Sequence, residues 1–360
     1  MPDPLPDLPA AVTAQVLESW NRLADDFGHL GPEIEPMFAV GADLLRHGKR
    51  LRAAFAAAGW RSAGGAALAP AEVRLGAGLE LFQMAALVHD DLMDGSLTRR
   101  GRPSAHRQFT QHHGRLGLLG HGDSFGDAGA VLLGDLLLVA ATSELDHAVQ
   151  LGTAAGIEAA HRLVQTMMAE VTVGQFLDIY AQSAPWAADP AADLDRAHRV
   201  IRAKSARYSV EHPLTIGAAM AGADRSMLAD LAAVGLPIGE AFQLRDDLLG
   251  VFGDPGTTGK PAGDDLREGK RTVLVTLALT LADAADRQRL RSAVGSDDLD
   301  ATEVAHLRQI LERSGAVAAV EELIANLHAK AMEALAAIAL PEAARATIRD
   351  LAQAAVARAY

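Results

Sequence analysis

The chain has 360 residues, 49% hydrophobic but only 4% aromatic, with a mean hydropathy of +0.10. That is ample for a large core, and an Ala- and Leu-rich, aromatic-poor composition favours helix over sheet. A net charge of −13 excludes nucleic-acid binding through bulk charge but leaves room for a local cationic pocket, and the absence of cysteine excludes disulfides, thiolate metal sites and a cysteine nucleophile.

The opening MPDPLPDLPA is acidic and broken by proline, so residues 1–10 are expected to be disordered, and it lacks the basic-then-apolar pattern of a secretory signal. GKRLR at 48–52 is the first of three short basic groups beside glycine; TRRGR at 98–102 and REGKR at 267–271 follow. Such groups suit phosphate, or are simply solvated surface. Apolar residues keep helical spacing at Leu79, Phe82 and Ala86 and again at Leu307, Ile310 and Leu311, while no β-branched or aromatic alternation marks a strand. Breaker-rich stretches at 59–70, 95–130, 181–193, 251–270 and 292–298 separate these blocks, and the Gly-, His- and Arg-rich 95–130 reads as a long loop. No apolar run reaches spanning length, because AVLLGDLLLVAA is cut by Asp135. The expectation is a cytoplasmic, single all-α domain over residues 1–360, without a membrane span, built as a bundle of roughly ten or more helices.

Asp-Asp-Leu occurs four times, and the company of each copy separates them. The buried run GLELFQMAALV leads into Asp90, Asp91 and Asp94, with Gly95 as a helix stop. Asp90 and Asp94 share one helix face, and Asp91 flanks them about 100° around the axis. Their repulsion, added to the negative end of the helix dipole, is reversed by a divalent cation. Oxygen ligands without cysteine point to Mg²⁺ sharing its coordination with substrate phosphates; a frayed, solvated helix end is the alternative. LPIGEAFQLRDDLLG has the same grammar, with Asp246 and Asp247, Gln243 one turn before Asp247, and Gly250 where a third carboxylate would stand. Two such clusters on separate buried helices read as a facing pair able to hold several cations around one diphosphate. The third copy, in TTGKPAGDDLREGKRT, is loop-like and interleaved with Lys260, Lys270 and Arg271, as either a closing loop over phosphate or plain surface. The fourth, at Asp297, only precedes a helix opened by the capping pair Asp300 and Glu303.

Over about residues 45 to 275 the chain resembles the trans-isoprenyl diphosphate synthases, or polyprenyl synthetases. The resemblance lies in HGKRLR, HDDLMD, RRGRPS, GD at 134–135, GQFLD at 174–178, KSA at 204–206, FQLRDDLLG and GKPAGDDLREGK, in that order. It implies an all-α isoprenoid-synthase-type bundle around a central cavity, normally a homodimer. It also implies condensation of isopentenyl diphosphate with an allylic diphosphate, using Mg²⁺, three ions per active site, with Mn²⁺ able to substitute. By motif position Asp90, Asp91, Asp94, Asp246 and Asp247 would serve the metals. Arg99, Lys204 and Lys260 would hold the allylic diphosphate, and Gln243 would support the second cluster. Lys49, Arg52, Gln83 and Arg100 would bind isopentenyl diphosphate, with Arg50 either contributing or acting as a structural ion-pair partner. Gln175 would stabilise positive charge near the reacting carbon. His47, Ala53, Gln83, Ser205 and Gly250 depart from the family pattern, and only Gly250 removes a carboxylate.

Side chains upstream of Asp90 would act as a ruler for the product, since a helix rises about 5.4 Å per turn, comparable to one isoprene unit. Ala85 and Ala86 leave the first turn open and Phe82 forms a floor, predicting about twenty carbons, geranylgeranyl diphosphate, by this ruler; otherwise the alanines are ordinary packing and Leu137 or Met168 forms the floor. A class I terpene cyclase, a non-catalytic modulating subunit and an HD-type phosphohydrolase are the rivals. A cyclase has no use for Lys49, Arg52 and Arg100, and a modulating subunit usually loses first-motif aspartates. The hydrolase would need His89 with His106, His112 or His113, whereas His89 reads as a packed, hydrogen-bonded histidine.

Overall fold

The computed structural model describes residues 5, 7–254, 263–296 and 298–357, and among them the architecture is helical apart from one two-stranded hairpin. By chain contacts it divides into two compact units, residues 1–162 with 213–224 and residues 163–212 with 225–360.

The first unit contains α1 (Leu8–Phe27), α2 (Glu35–Leu45), α3 (Leu51–Ser62), α4 (Pro70–Met93), α5 (Ala105–Leu116) and α6 (Gly122–Gln150). α4 starts with Pro70 at its first position, where a missing N–H costs nothing, and ends with Gly95 in the left-handed region at φ +67. Between those signals every residue from Leu75 to Phe82 is buried, and each large aliphatic side chain contributes about 1.5 to 3 kcal/mol of burial energy. Two small residues let α4 and α6 approach closely: a Cβ on Gly78 would meet Leu145 Cγ at 2.7 Å, and one on Gly134 would meet His89 Nε2 at 2.1 Å. His89 Nε2 also lies 3.3 Å from the Val131 carbonyl, the packed setting expected for that histidine.

In the second unit α7 (Ile157–Ser183), which begins in the first, is followed by α8 (Pro190–Val200). A π-helical segment, Ile201–Glu211, then runs into α9 (His212–Met220), most of which belongs to the first unit. The long α10 (Arg225–Phe252) presses on the π-helical segment where it has no side chains: a Cβ on Gly239 would meet the Ala206 carbonyl oxygen at 2.2 Å, and one on Gly235 the Glu211 Cα at 2.7 Å. Helices Val273–Leu281, Ala301–Arg313 and Ala316–Ala337 bury Leu274, Leu307 and Val320 in the same core as Leu244 and Leu248. Arg245 clamps the chain end, donating to Glu321 at 2.6 and 2.7 Å and to the Val356 carbonyl at 3.1 Å.

Several sequence expectations change. The stretch 95–130 is not a long loop: it holds a hairpin of β1 (Thr98–Arg99) and β2 (Arg102–Pro103), all of α5 and the start of α6, so His106, His112 and His113 lie on a helix. Its apolar residues are few, and tertiary packing of His106, Phe109 and His113 supplies the burial that the sequence pattern lacks. Disorder over 1–10 does not extend to Leu5, which is buried, or to Leu8–Ala10, which open α1. The third acidic pair lies in a short helix, Asp264–Arg267, rather than in plain loop. Asp300 caps Ala301–Arg313 as expected, accepting from the Glu303 N–H at 2.8 Å; Asp297 lies outside the described residues. Two helices, Gly122–Gln150 and Arg225–Phe252, are long and apolar enough to cross a membrane by length and composition, despite Asp135 and Asp246–Asp247. Both pack many buried residues within their own units.

Candidate active site

In the first unit the acidic end of α4 faces the β1–β2 hairpin. The two-residue turn Arg100–Gly101 has φ of +54 and +73, the primed-turn geometry that suits hairpin twist, and it carries Arg99 back over α4. Arg99 Nε donates to both Asp91 oxygens, at 2.9 and 3.1 Å, and its Nη2 also bonds Asp91 Oδ1; Asp90 Oδ2 is 3.9 Å away. Asp91, expected from the sequence to serve a metal, is a buried carboxylate paired with Arg99 in this structure. Asp90 and Asp94 stand one turn apart, both half-buried.

The basic element beside this end divides by role. Arg50 is buried at 3% exposure, adopts the left-handed φ of +53 and is tied at three points. It donates to Glu80 Oε2 at 3.1 Å, the Leu45 carbonyl at 2.5 Å and Thr13 Oγ1 at 3.1 Å. Its strained backbone is held by those bonds, which settles it as the ion-pair partner of Glu80. Lys49 is exposed and Arg52 half-buried. Arg100 donates to the His47 carbonyl, and Gly48 beside it adopts φ +147, a backbone conformation that favours glycine. Burial of the Arg100 guanidinium lowers its pKa below the usual value; Glu80 opposes this, and Arg99, Arg50 and Arg52 add to it by repulsion. Such a concentration of positive charge suits an anionic ligand.

Upstream on α4, Phe82 and Ala85 are buried, Ala85 completely, while Gln83 and Ala86 keep partial exposure. Leu137 of α6 is also fully buried.

In the second unit Lys204 lies on the π-helical segment and pairs with Asp178 of α7 at 2.6 Å. Gly174 makes this possible, because a Cβ there would meet the Lys204 backbone nitrogen at 2.5 Å. Gln175 is half-buried one turn before Asp178. On α10 the Gln243 amide donates to Asp247 Oδ1 at 2.9 Å, whereas Asp247 Oδ2, on a residue 5% exposed, has no hydrogen-bond partner among the described residues. Burial pushes the Asp247 carboxyl up to about 8; Gln243 and Lys270 oppose the shift, and Asp265 and Asp246 reinforce it. Asp246 is half-buried, and Lys260 lies outside the described residues. Among the described residues no three His, Asp or Glu side chains close on a common metal position. One or two carboxylates with an orphaned buried oxygen fit a hard cation that completes its shell with phosphate oxygens and water.

A family profile described as polyprenyl synthetase matches residues 36–311. The chain belongs to the polyprenyl synthetase family. It is a prenyltransferase, a trans-prenyl diphosphate synthase with the all-α fold of its relatives. It is 33% identical over 254 residues to a geranylfarnesyl diphosphate synthase of Aeropyrum pernix, covering 70% of this chain and 72% of that one. It is 32% identical over 278 residues to a (2E,6E)-farnesyl diphosphate synthase of Mycobacterium tuberculosis, covering 76% and 70%. Among solved structures, a geranylgeranyl pyrophosphate synthase from Corynebacterium glutamicum, described as complexed with isoprenyl diphosphate and magnesium, superposes with a TM-score of 0.92 at 34% identity, over 99% of each chain. These synthases differ in product length, so family membership leaves the length of this enzyme's product to its own pocket.

Motif reading missed three partners that the structure supplies: Glu80 for Arg50, Asp178 for Lys204, and Asp265 beside Asp247. Only Asp178 had a local signal, its three-residue spacing from Gln175 on one helix face.

Proposed function

We propose that this synthase elongates an allylic diphosphate with isopentenyl diphosphate to give geranylgeranyl diphosphate, and that its two units act together as one prenyl synthase domain. The observation that carries elongation, as opposed to cyclisation, is that Arg100, next to Arg99 on the hairpin turn, also has Arg50, Arg52 and Glu80 acting on it, with Lys49 in the same basic element, so that cations beyond the Arg99–Asp91 pair are present. Elongation needs two diphosphates held at once; cyclisation needs one.

Asp90 and Asp94, and Asp246 and Asp247, would hold Mg²⁺, three ions in all, with Mn²⁺ able to replace it. Bound Mg²⁺ neutralises charge on the departing pyrophosphate. Arg99, oriented by Asp91, grips the allylic diphosphate with Lys204 and Lys260, and Lys204 leaves Asp178 to do so. Lys49, Arg52, Gln83 and Arg100 hold isopentenyl diphosphate. The allylic C–O bond breaks with its electron pair on the pyrophosphate, and the isopentenyl double bond attacks the resulting carbocation. A proton then passes to the pyrophosphate and a new double bond forms. Gln175 directs its amide oxygen toward the developing positive charge.

Ala86 supports the product assignment, because it is small and retains exposed surface one turn before Asp90, while Phe82 lies a turn deeper. A homodimer is supported by Phe125, Leu132 and Val139 of α6, exposed apolar residues spaced seven apart on one helix face. We place the enzyme in the cytoplasm, with α6 and α10 as core helices rather than membrane spans. The test is incubation with Mg²⁺, labelled isopentenyl diphosphate and geranyl or farnesyl diphosphate, with products resolved by chain length. A twenty-carbon diphosphate supports the assignment. Another linear length overturns the product alone, whereas cyclic hydrocarbon, free phosphate only, or no turnover overturns elongation.

A further inference from the structure

The one π-helical segment among the described residues, Ile201–Glu211, packs against two helices that omit side chains to receive it. A ladder of i→i+5 bonds makes a wider helix than an α-helix, and such segments are rare and frequent at functional sites. On α7, Glu170, Gly174 and Asp178 recur every four residues and form one stripe along the helix. A Cβ on Gly174 would lie 2.5 Å from the Lys204 nitrogen and 2.8 Å from its Cα, so the Lys204 backbone rests directly on α7. Gly239 and Gly235 of α10 receive Ala206 and Glu211 in the same way.

The two acids of the stripe hold different parts of the segment. Asp178 takes the Lys204 ammonium at 2.6 Å. Glu170 takes the far end: Arg207 Nη1 donates to its Oε1 at 3.0 Å, and His212 Nε2 lies 2.8 Å from its Oε2. Arg207 Nε is also 3.5 Å from Glu211 Oε2. Burial pushes the Glu170 carboxyl up, but hydrogen bonding from His212 and the charge of Arg207 outweigh it, so the pKa lies below the ordinary carboxylate value. Pro213 follows directly and has no N–H to return to the preceding turn, so side chains must help to hold this end. Relaxation to ordinary α-helical spacing would change the angle between Lys204 and Arg207 about the axis.

We propose that Glu170 is a positioning residue for Lys204. Its bonds to Arg207 and His212 hold the π-helical register, so the Lys204 backbone stays on Gly174 while the ammonium moves from Asp178 to the allylic diphosphate. This inference rests on the reading of Lys204 as a diphosphate-binding residue. It adds to that reading the group that keeps the lysine in place, and Glu170 acts through Lys204 rather than on the substrate.

The test is steady-state kinetics of the full chain with Mg²⁺, geranyl diphosphate and isopentenyl diphosphate, on Glu170→Ala, Lys204→Gln and the double variant, with melting temperatures to verify folding. Lys204→Gln is expected to lower kcat/KM for geranyl diphosphate by about tenfold or more. Glu170→Ala should lower it by about tenfold as well, through misplacement of the lysine. The KM for isopentenyl diphosphate should change less than about twofold in both. The double variant should match Lys204→Gln to within about twofold, because a residue acting through another adds nothing once that other is gone. Arg207→Gln loosens the same end from a more exposed position and should act in the same direction. Unchanged kcat/KM in folded Glu170→Ala overturns the proposal and, if Lys204→Gln is impaired, leaves the reading of Lys204 standing. Losses that multiply in the double variant, or an equal loss for both diphosphates, also overturn it. Failure of both Glu170→Ala and Arg207→Gln to fold makes the cluster purely structural and overturns it too. If Lys204→Gln is itself without effect, the reading of Lys204 fails, and the proposal with it.

Discussion

Replacing Ala86 by phenylalanine tests whether α4 measures the product. Ala86 lies one turn before Asp90, and a turn is about 5.4 Å, close to one isoprene unit. It is half-buried, so packing does not enclose it on all sides. A phenyl ring there projects about as far as one turn and should stop the chain one unit earlier, shifting product from twenty carbons to about fifteen. Ala85 provides the contrast, because it is completely buried between packed helices. Phenylalanine at 85 overpacks the core, costing about 1 to 3 kcal/mol, and should lower the melting temperature before it alters chain length. The assay is mass spectrometry of the extracted prenyl diphosphates alongside thermal melting of each variant. Folded Ala86→Phe that still makes a product of about twenty carbons would refute the ruler.

Three further outcomes are expected. Arg50→Ala leaves Glu80 buried and unpaired and releases a left-handed residue; breaking such a buried pair costs about 3 to 5 kcal/mol, so thermal melting should fall sharply. Burial lowers the pKa of His106 from its ordinary value near 6.5, with Asp127 and Asp91 opposing. The fold thus prefers the neutral imidazole, and its contribution is fully present above the unfolded pKa and is lost as pH falls toward the depressed folded value. Melting should therefore drop on acidification below pH about 6.5, and His106→Gln should flatten part of that slope. Leu132→Glu on the exposed face of α6 should convert a dimer to a monomer in analytical ultracentrifugation, and an unchanged sedimentation coefficient would count against that face.

Local chemistry already determines a good deal of this protein. Helical composition, the apolar run into Asp90, the Gly95 stop and the Asp300 cap all depend on neighbours in sequence, and the folded chain keeps them. The order of motifs from HGKRLR to GDDLREGK was likewise enough to indicate the family, because each motif is a local arrangement of charge and glycine. What tertiary structure alone decided involves partners brought together by turns and helix packing. Arg50 and Arg52 are two residues apart and look equivalent in sequence, yet Glu80 and Thr13 bury one of them and leave the other beside Arg100. Asp91 looks like Asp90 until the hairpin brings Arg99 onto both its oxygens. Gly250 reads as a missing carboxylate until the chain returns Asp265 to the same space. In each case burial and the arrival of a charge from another element decide the role, and neither is encoded in the spacing of the residues themselves.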